Sequence, residues 1–106
     1  MRNNEFFRAL NKKENLTRGE NNALSAWCNG IREQLDFPFL MDTMWEEEVA
    51  DFLKSIKSAG FRQFGFFGMS TITIENIVAF TKAGWKLTDT FEFDEDRHYE
   101  GLIFES

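Results

Sequence analysis

The chain has 106 residues, of which 42% are apolar and 16% aromatic, and 13 are Phe. This length and composition predict a single globular domain over residues 1–106 that can bury its own core. The single cysteine excludes an internal disulfide, and no apolar run approaches the ~20 residues of a membrane span. We therefore expect a cytoplasmic protein with no membrane partner.

The formal net charge of −6 is distributed unevenly along the chain. Residues 1–35 carry six basic and four acidic side chains, a net charge of +2, whereas residues 36–106 carry six basic and 14 acidic ones, a net charge of −8. Because phosphate contacts supply most of the affinity for DNA or RNA, an acidic body disfavours direct nucleic-acid binding. A protein with a basic surface is the expected partner, and the oligomeric state stays open.

Residues 1–31 are predicted to form a helical hairpin. Its first helix runs from Glu5 to Lys13, and its second follows a capping box in which Thr17 caps the helix start and Glu20 reaches back. Asn29-Gly30 is the predicted stop. The second helix carries an apolar stripe at helical spacing, made by Leu24, Trp27, Cys28 and Ile31. We therefore expect Cys28 to be a buried small apolar side chain rather than a reactive thiol.

Residues 43–105 are predicted to form the core of the domain, after an extended connector over residues 32–42. Thr43 to Glu46 matches a second capping box, and the helix after it ends at Gly60. Its predicted inward face is Trp45, Val49, Phe52, Leu53 and Ile56. A short strand and a further helix follow, and the predicted inward face of that helix is Ile74, Ile77, Val78 and Thr81.

An approximate repeat organises this core. Ser58-Ala59-Gly60-Phe61-Arg62 and Lys82-Ala83-Gly84-Trp85-Lys86 share the order small or basic, Ala, Gly, aromatic, basic. Each follows a helical segment and precedes an extended one. Because glycine adopts the left-handed conformation easily, we predict a positive φ at Gly60 and Gly84, with the following aromatic rings packed on the helices.

The predicted strands are Gln63–Phe67, Trp85–Phe93 and Tyr99–Glu105. We therefore expect an α+β or α/β domain, in which the helical hairpin precedes an α-β-α-β-β core. Its sheet would be small, mixed and three-stranded, packed by helices. The first two strands would form a parallel pair through a right-handed crossover, and the last would be antiparallel. The face of the second strand would carry Trp85, Leu87, Phe91 and Phe93.

The turn between the first strand and the following helix is a candidate anion site. Gly68, Ser70 and Thr71 place a glycine turn and two hydroxyls where free amides of a helix N-terminus can hold an anion. The spacing matches neither a dinucleotide-binding fingerprint nor a Walker loop. The alternative, which is more common, is that Gly68 permits the turn and Ser70 caps the helix.

Two groups of acidic residues form the candidate partner-binding site. Glu92, Asp94, Glu95 and Asp96 lie beside His98, without the order of a calcium loop or a second His at zinc spacing, so a charged hairpin tip is expected rather than a metal site. The other group begins a helix and comprises Glu46, Glu47, Glu48 and Asp51. If the two groups shared one face, that face could imitate the phosphates of a nucleic acid. No catalytic, cofactor or metal site is predicted.

The chain resembles a family of short proteins of uncharacterised function from phages, plasmids and conjugative elements of Gram-positive bacteria. The resemblance rests on Leu16-Thr17-Arg18-Gly19-Glu20-Asn21-Asn22-Ala23-Leu24, with shorter matches at Leu35-Asp36-Phe37-Pro38, Ala59-Gly60, Ser70-Thr71 and Gly101-Leu102-Ile103-Phe104. It implies a setting in mobile elements within a bacterial host cell, where small acidic proteins often block defence enzymes such as CRISPR nucleases. It transfers no catalytic residue.

Two functions are therefore open. The first is a non-catalytic binding protein, such as an anti-CRISPR-type inhibitor. It would dock its acidic and aromatic surface on a basic nucleic-acid-handling protein such as a nuclease. The alternative is a small-molecule or anion-binding domain, or an enzyme, that uses the turn from Gly68 to Thr71.

Overall fold

The computed structural model describes residues 1–106 and contains four helices and a four-stranded mixed sheet. The elements in chain order are α1 (Glu5–Lys12), α2 (Arg18–Arg32), β1 (Phe39–Leu40), α3 (Glu46–Ser58), β2 (Gln63–Phe66), α4 (Thr73–Lys82), β3 (Lys86–Phe93) and β4 (Tyr99–Glu105). The strand order across the sheet is β1-β2-β4-β3. The α+β class is confirmed.

The prediction of three strands is wrong, because the connector contains a fourth strand. β1 has two residues, Phe39 and Leu40, which pair in parallel with Gly65 and Phe66 of β2. Two residues are too few to show a periodicity in the sequence. On the other edge of β1, the side-chain amide of Asn29 in α2 donates to the carbonyl of Phe39 at 3.1 Å. α2 therefore covers this edge of the sheet.

The predicted parallel pair is also wrong in its adjacency. β4 lies between β2 and β3 and is antiparallel to both, so β2 and β3 run in the same direction without pairing. The parallel pair is β1 with β2, joined through α3. β4 forms a tight hairpin with β3 and also pairs with β2. It therefore occupies the position beside β2 that the prediction gave to β3.

The predicted glycine repeat is confirmed at both helix ends. Gly60 has a φ of +90° and Gly84 a φ of +95°. The amide of Phe61 donates to the carbonyl of Ile56 at 3.2 Å, and the amide of Trp85 donates to that of Phe80 at 3.0 Å. This is the Schellman arrangement, which satisfies carbonyls left free at a helix end. Trp85 is buried and Phe61 half-buried.

One face of the sheet packs on α3 and α4 through aromatic rings. Phe64 lies edge-on to Phe52 of α3 and to Phe80 of α4, at 5.1 Å between ring centroids in each case. Trp85 packs on the same ring at 5.0 Å, and Phe104 stacks on it. Rings of this size bury a large apolar area each, so these two helices and this face form the main core.

The opposite face of the sheet holds a second aromatic cluster. The ring of Phe91 lies where side chains of Gly65 and Gly101 would otherwise stand, and Phe39 contacts Phe91 and Phe93. The prediction that Phe91 and Phe93 share a face with Trp85 and Leu87 is therefore wrong. An irregularity in the pairing between Leu87 and Asp89 inserts one residue and moves the later side chains to the other face.

The second helix is rotated slightly from the predicted orientation. Trp27 is buried as predicted, and Leu24 and Ile31 are partly buried against the core. Its capping box at Thr17 and Glu20 is confirmed, but Cys28 is exposed and Gly30 lies inside the helix. The buried residues are mostly small: Gly19, Ala23, Ala26, Trp27 and Gly30. A methyl group on Gly30 would stand 2.4 Å from the carbonyl oxygen of Phe37. Close backbone approach at the small residues, together with the burial of Trp27, therefore determines which face of α2 is buried.

Candidate functional site: the exposed face of helix α4

The orientation of α4 leaves apolar side chains in solvent. Asn76 and Phe80 are its buried residues, whereas Ile74 is 72% exposed and Val78 44% exposed. The prediction that Ile74 and Val78 point inward is therefore wrong. Phe80 offers a larger apolar surface than either aliphatic residue and packs on Phe64 and Phe66, and this determines the rotation of the helix.

A buried asparagine, Asn76, joins α4 to Met44, which lies two residues before the start of α3. The Asn76 Oδ1 accepts from the backbone amide of Met44 at 2.9 Å, and its Nδ2 donates to the backbone carbonyl of Met44 at 2.6 Å. Both residues are 2% exposed. Asparagine suits this position because its side chain offers one donor and one acceptor side by side. The pair holds the segment before α3 against α4.

Most of the exposed large apolar side chains belong to this region. They are Trp45 (56%), Met69 (78%), Ile74 and Val78, and the fifth in the protein, Leu87 (51%), lies on β3 instead. The Thr43 and Ser70 hydroxyls, 2.9 Å apart, join the segment before α3 to the turn before α4. We call Trp45, Met69, Ile74 and Val78 the α4 face.

A shallow groove of about 240 Å³ runs along this face. Its lining contains Ile74, Val78 and Ala79 as apolar residues, Glu46 and Glu75 as carboxylates, and Lys82 at the end of the helix. Neither carboxylate forms an ion pair within the protein, since the four ion pairs involve Glu20, Glu48, Glu33 and Glu92. The groove therefore combines apolar side chains with negative charge near the start of α4.

The predicted first-turn acids point in different directions. Glu46 lines the α4 groove, and Glu47 is exposed. Glu48 accepts from the backbone amide of Trp45 at 2.9 Å, so it is engaged at the start of its own helix. Asp51 lines another cleft, beside α1 and α2.

The second predicted capping box is displaced by two residues. Trp45, not Thr43, is the N-cap of α3. Because the indole offers no acceptor for the helix amides, only the contact from Glu48 back to the Trp45 amide forms. Trp45 therefore begins the helix with its ring in solvent, although the sequence pattern places it in the core.

The acids of the β3–β4 hairpin lie together in another cleft. Glu92, Asp94 and Glu95 line a cleft of about 220 Å³ with Glu33 from the end of α2. The Asp94 Oδ1 accepts from the Asp96 amide at 3.3 Å within the turn. No group of three or more of these side chains, with or without histidine, has the arrangement of metal ligands. The two predicted acidic groups therefore line separate clefts.

One histidine is coupled to these acids. The Nδ1 of His98 contacts the carboxylate of Glu92. The hydrogen bond and the charge of Glu92 raise the pKa of His98 above its usual value. Both side chains are exposed, so the contact belongs to the surface of the hairpin.

The predicted anion turn is closely packed at Gly68. Gly68 lies against the Thr43 and Thr73 side chains, which would stand 2.7 and 2.6 Å from an added methyl group. The Ser70 Oγ accepts from the Ile72 amide at 3.3 Å, and Thr71 is exposed. The prediction that Ser70 caps α4 is wrong, since Ile72 is the N-cap and supplies no side-chain acceptor. Ser70 organises the turn that precedes the helix.

Comparison with known proteins places the chain in a family. The model of a family described as "Domain of unknown function (DUF7698)" matches residues 22–100. The chain belongs to this family. Neither the curated proteins nor the solved structures contain a match.

The match covers the region that carries the candidate site. Residues 22–100 include all of α3, β2, α4 and β3, and most of α2. They therefore contain the four residues of the α4 face and the Asn76–Met44 pair that supports it.

None of the four helices combines the length and apolar character needed to cross a bilayer.

The α4 face could not be read directly from the sequence, because the helical pattern placed Ile74 and Val78 in the core. One signal did point to it. Phe80 lies off the predicted stripe, and an aromatic residue on the solvent side of a helix is a reason to test a second rotation. That rotation buries Phe80 and Asn76 and exposes the aliphatic pair.

Proposed function

We propose that the protein is a non-catalytic binding protein that uses the α4 face to bind a protein partner with a basic surface. The observation that carries this proposal is the exposure of Ile74 and Val78 along a groove that Glu46 and Glu75 also line. Trp45 and Met69 are exposed in the segments that lead into α3 and α4. Contiguous exposed apolar surface on a soluble domain typically marks a site of interaction.

The charge around the groove favours a basic partner over a second copy of this chain. Glu46 and Glu75 line the groove, and the net charge of the whole chain is −6. Two copies that each carry a net charge of −6 repel one another at long range, which disfavours self-association through this face. Lys or Arg side chains on a partner would instead pair with these carboxylates, while its apolar side chains contact Ile74 and Val78.

The resemblance to proteins of mobile elements suggests where such a partner is found. In the cytoplasm of a bacterial host cell, proteins that handle nucleic acids have basic surfaces, because those surfaces neutralise phosphates. An acidic protein that covers such a surface would compete with the nucleic acid. We therefore propose an inhibitor of a defence nuclease, of the anti-CRISPR type, as the specific role.

The experiment compares the wild-type protein with two matched variants, Ile74→Glu and Leu87→Glu. Both replace an exposed apolar side chain with a carboxylate, but Leu87 lies on β3, outside the α4 face. Purified host defence nucleases are assayed for cleavage with and without each protein, and binding is measured by interferometry at rising salt. We expect inhibition by the wild type and by L87E, and its loss in I74E.

Salt provides a second criterion. Exposed charge contacts are screened within about 8 Å at physiological ionic strength, so binding should weaken as salt rises. Equal inhibition by I74E and the wild type, or binding that does not change with salt, would contradict the proposed surface. Absence of binding to every basic nucleic-acid-handling protein of the host would contradict the proposed function itself.

A further inference from the structure

The residues along the α4 groove favour one kind of bound structure, an α-helix. Resting on the proposed function, we infer that the bound element of the partner is an amphipathic helix that lies antiparallel to α4, with an acidic residue near its N-terminus and basic residues near its C-terminus. The arrangement of apolar and charged residues along the groove supports this inference.

The apolar spacing matches a helix. Ile74 and Val78 are four residues apart on α4, so they project from the same side on successive turns. Ala79 also lines the groove, and its small side chain leaves room for side chains from outside. Apolar residues at positions i, i+3 or i+4, and i+7 of a second helix would enter this groove, which is the usual way a helix packs on a helical surface.

A strand is a poorer occupant because it needs a free sheet edge. The groove is bordered by helices α3 and α4 and contains no strand residue. β1, the edge strand that precedes α3, is covered by α2 through the bond from Asn29 to Phe39. An extended segment in the groove would leave its backbone amides and carbonyls without partners, whereas a helix satisfies them internally.

The charges along α4 determine the direction of the bound helix. Glu75 lies in the first turn of α4 and Lys82 in its last turn, about two turns or roughly 10 Å apart along the axis. Glu46 adds a second carboxylate at the Glu75 end. α4 of a second copy has a matching charge order, but two chains that each carry a net charge of −6 repel one another. A partner helix with basic residues at its C-terminus and an acid at its N-terminus pairs with both ends when it is antiparallel. This direction also aligns the two helix dipoles favourably.

The test uses two synthetic peptides of about 15 residues, held helical by a side-chain staple because free helices of this length are marginal in water. Both carry the same Leu residues at i, i+3 or i+4, and i+7. The forward peptide has Glu in its first turn and Lys and Arg in its last, and the reverse peptide has these charges exchanged. Each is labelled with fluorescein, and binding to the full-length protein is measured by fluorescence anisotropy.

We expect the forward peptide to bind about tenfold more tightly than the reverse peptide, which corresponds to about one extra pair of favourable charge contacts. The double variant Glu75→Lys with Lys82→Glu should remove most of this preference, because Glu46 then remains as the only carboxylate at the start of the groove. Ile74→Glu should weaken both peptides by at least about tenfold, whereas Leu87→Glu should change neither. Circular dichroism and thermal melting verify that each variant is folded.

Three results would overturn the inference. Equal affinity for the two peptides would remove the direction, and an unchanged preference in the E75K/K82E variant would remove the charge pairing on which it depends. An L87E variant that weakens binding as much as I74E would show that the peptides bind elsewhere. If the peptides fail while the nuclease is still inhibited through Ile74, the helix is wrong and the proposed function stands.

Discussion

The Asn76–Met44 pair yields the sharpest prediction about stability. Replacing Asn76 with Ala removes both bonds, at 2.9 and 2.6 Å, and leaves the backbone amide and carbonyl of Met44 without partners in a site that is 2% exposed. An unsatisfied buried group costs about 1–3 kcal/mol. Allowing for partial relaxation around the two groups, we expect the free energy of unfolding to fall by about 2–4 kcal/mol.

Urea unfolding followed by circular dichroism measures this change. The matched control is Glu75→Ala, an exposed position one residue earlier on α4, which should stay within about 0.5 kcal/mol of the wild type. Asn76→Asp gives a second comparison. It preserves the acceptor for the Met44 amide but faces the Met44 carbonyl with an oxygen, so at neutral pH it should be at least as destabilising as Asn76→Ala.

A loss below about 1 kcal/mol in N76A would refute this reasoning, because it would mean that water or another side chain satisfies Met44 as well as Asn76 does. Wild-type stability in N76D would refute the role of the donor. The pair also positions the α4 face. N76A should therefore weaken the forward peptide even at temperatures where the variant remains folded, whereas E75A should affect the peptide through charge alone.

The remaining predictions concern the helix ends, the hairpin and the exposed indole. Gly60→Ala and Gly84→Ala should each cost about 1 kcal/mol in urea unfolding, because both have positive φ and no neighbour within 4 Å of an added methyl group; a neutral effect would contradict the strain argument. In an NMR titration, His98 should have a pKa above its usual value of 6.5, and Glu92→Gln should lower it. The stabilisation from this pair is full below the unfolded pKa and is lost as pH rises through the folded pKa, so a pair contribution that grows with pH would contradict it. Acrylamide should quench the fluorescence of Trp45, the exposed tryptophan, and the bound forward peptide should protect it; quenching unchanged by the peptide would place the peptide away from the α4 face.

The candidate site was only partly predictable from the sequence. Glu46 was identified as a partner-binding residue, and it lines the groove. The helical pattern predicts that Trp45, Ile74 and Val78 lie in the core. Such a pattern shows which apolar side chains could be buried together, but it does not show which other face of the helix could be buried instead. Asn76 was not identified, since a single polar residue within a helix carries no local signal of its partner 32 residues away.

The sequence by itself determined the start of α2, the C-terminal ends of α3 and α4, and the α+β class. Gly60, Gly84 and the Thr17 capping box act on backbone groups within a few residues, so their effects are local and can be read in order. Only the tertiary structure decided the strand order, the two-residue strand β1 and the rotation of α4. Each of these depends on packing between distant segments: β4 inserts between β2 and β3, α2 covers β1, and Phe80 contacts Phe64 across the core. The exposure of the α4 face follows from that packing, because burying Phe80 and Asn76 leaves Ile74 and Val78 on the opposite side of a helix that has only one face against the core.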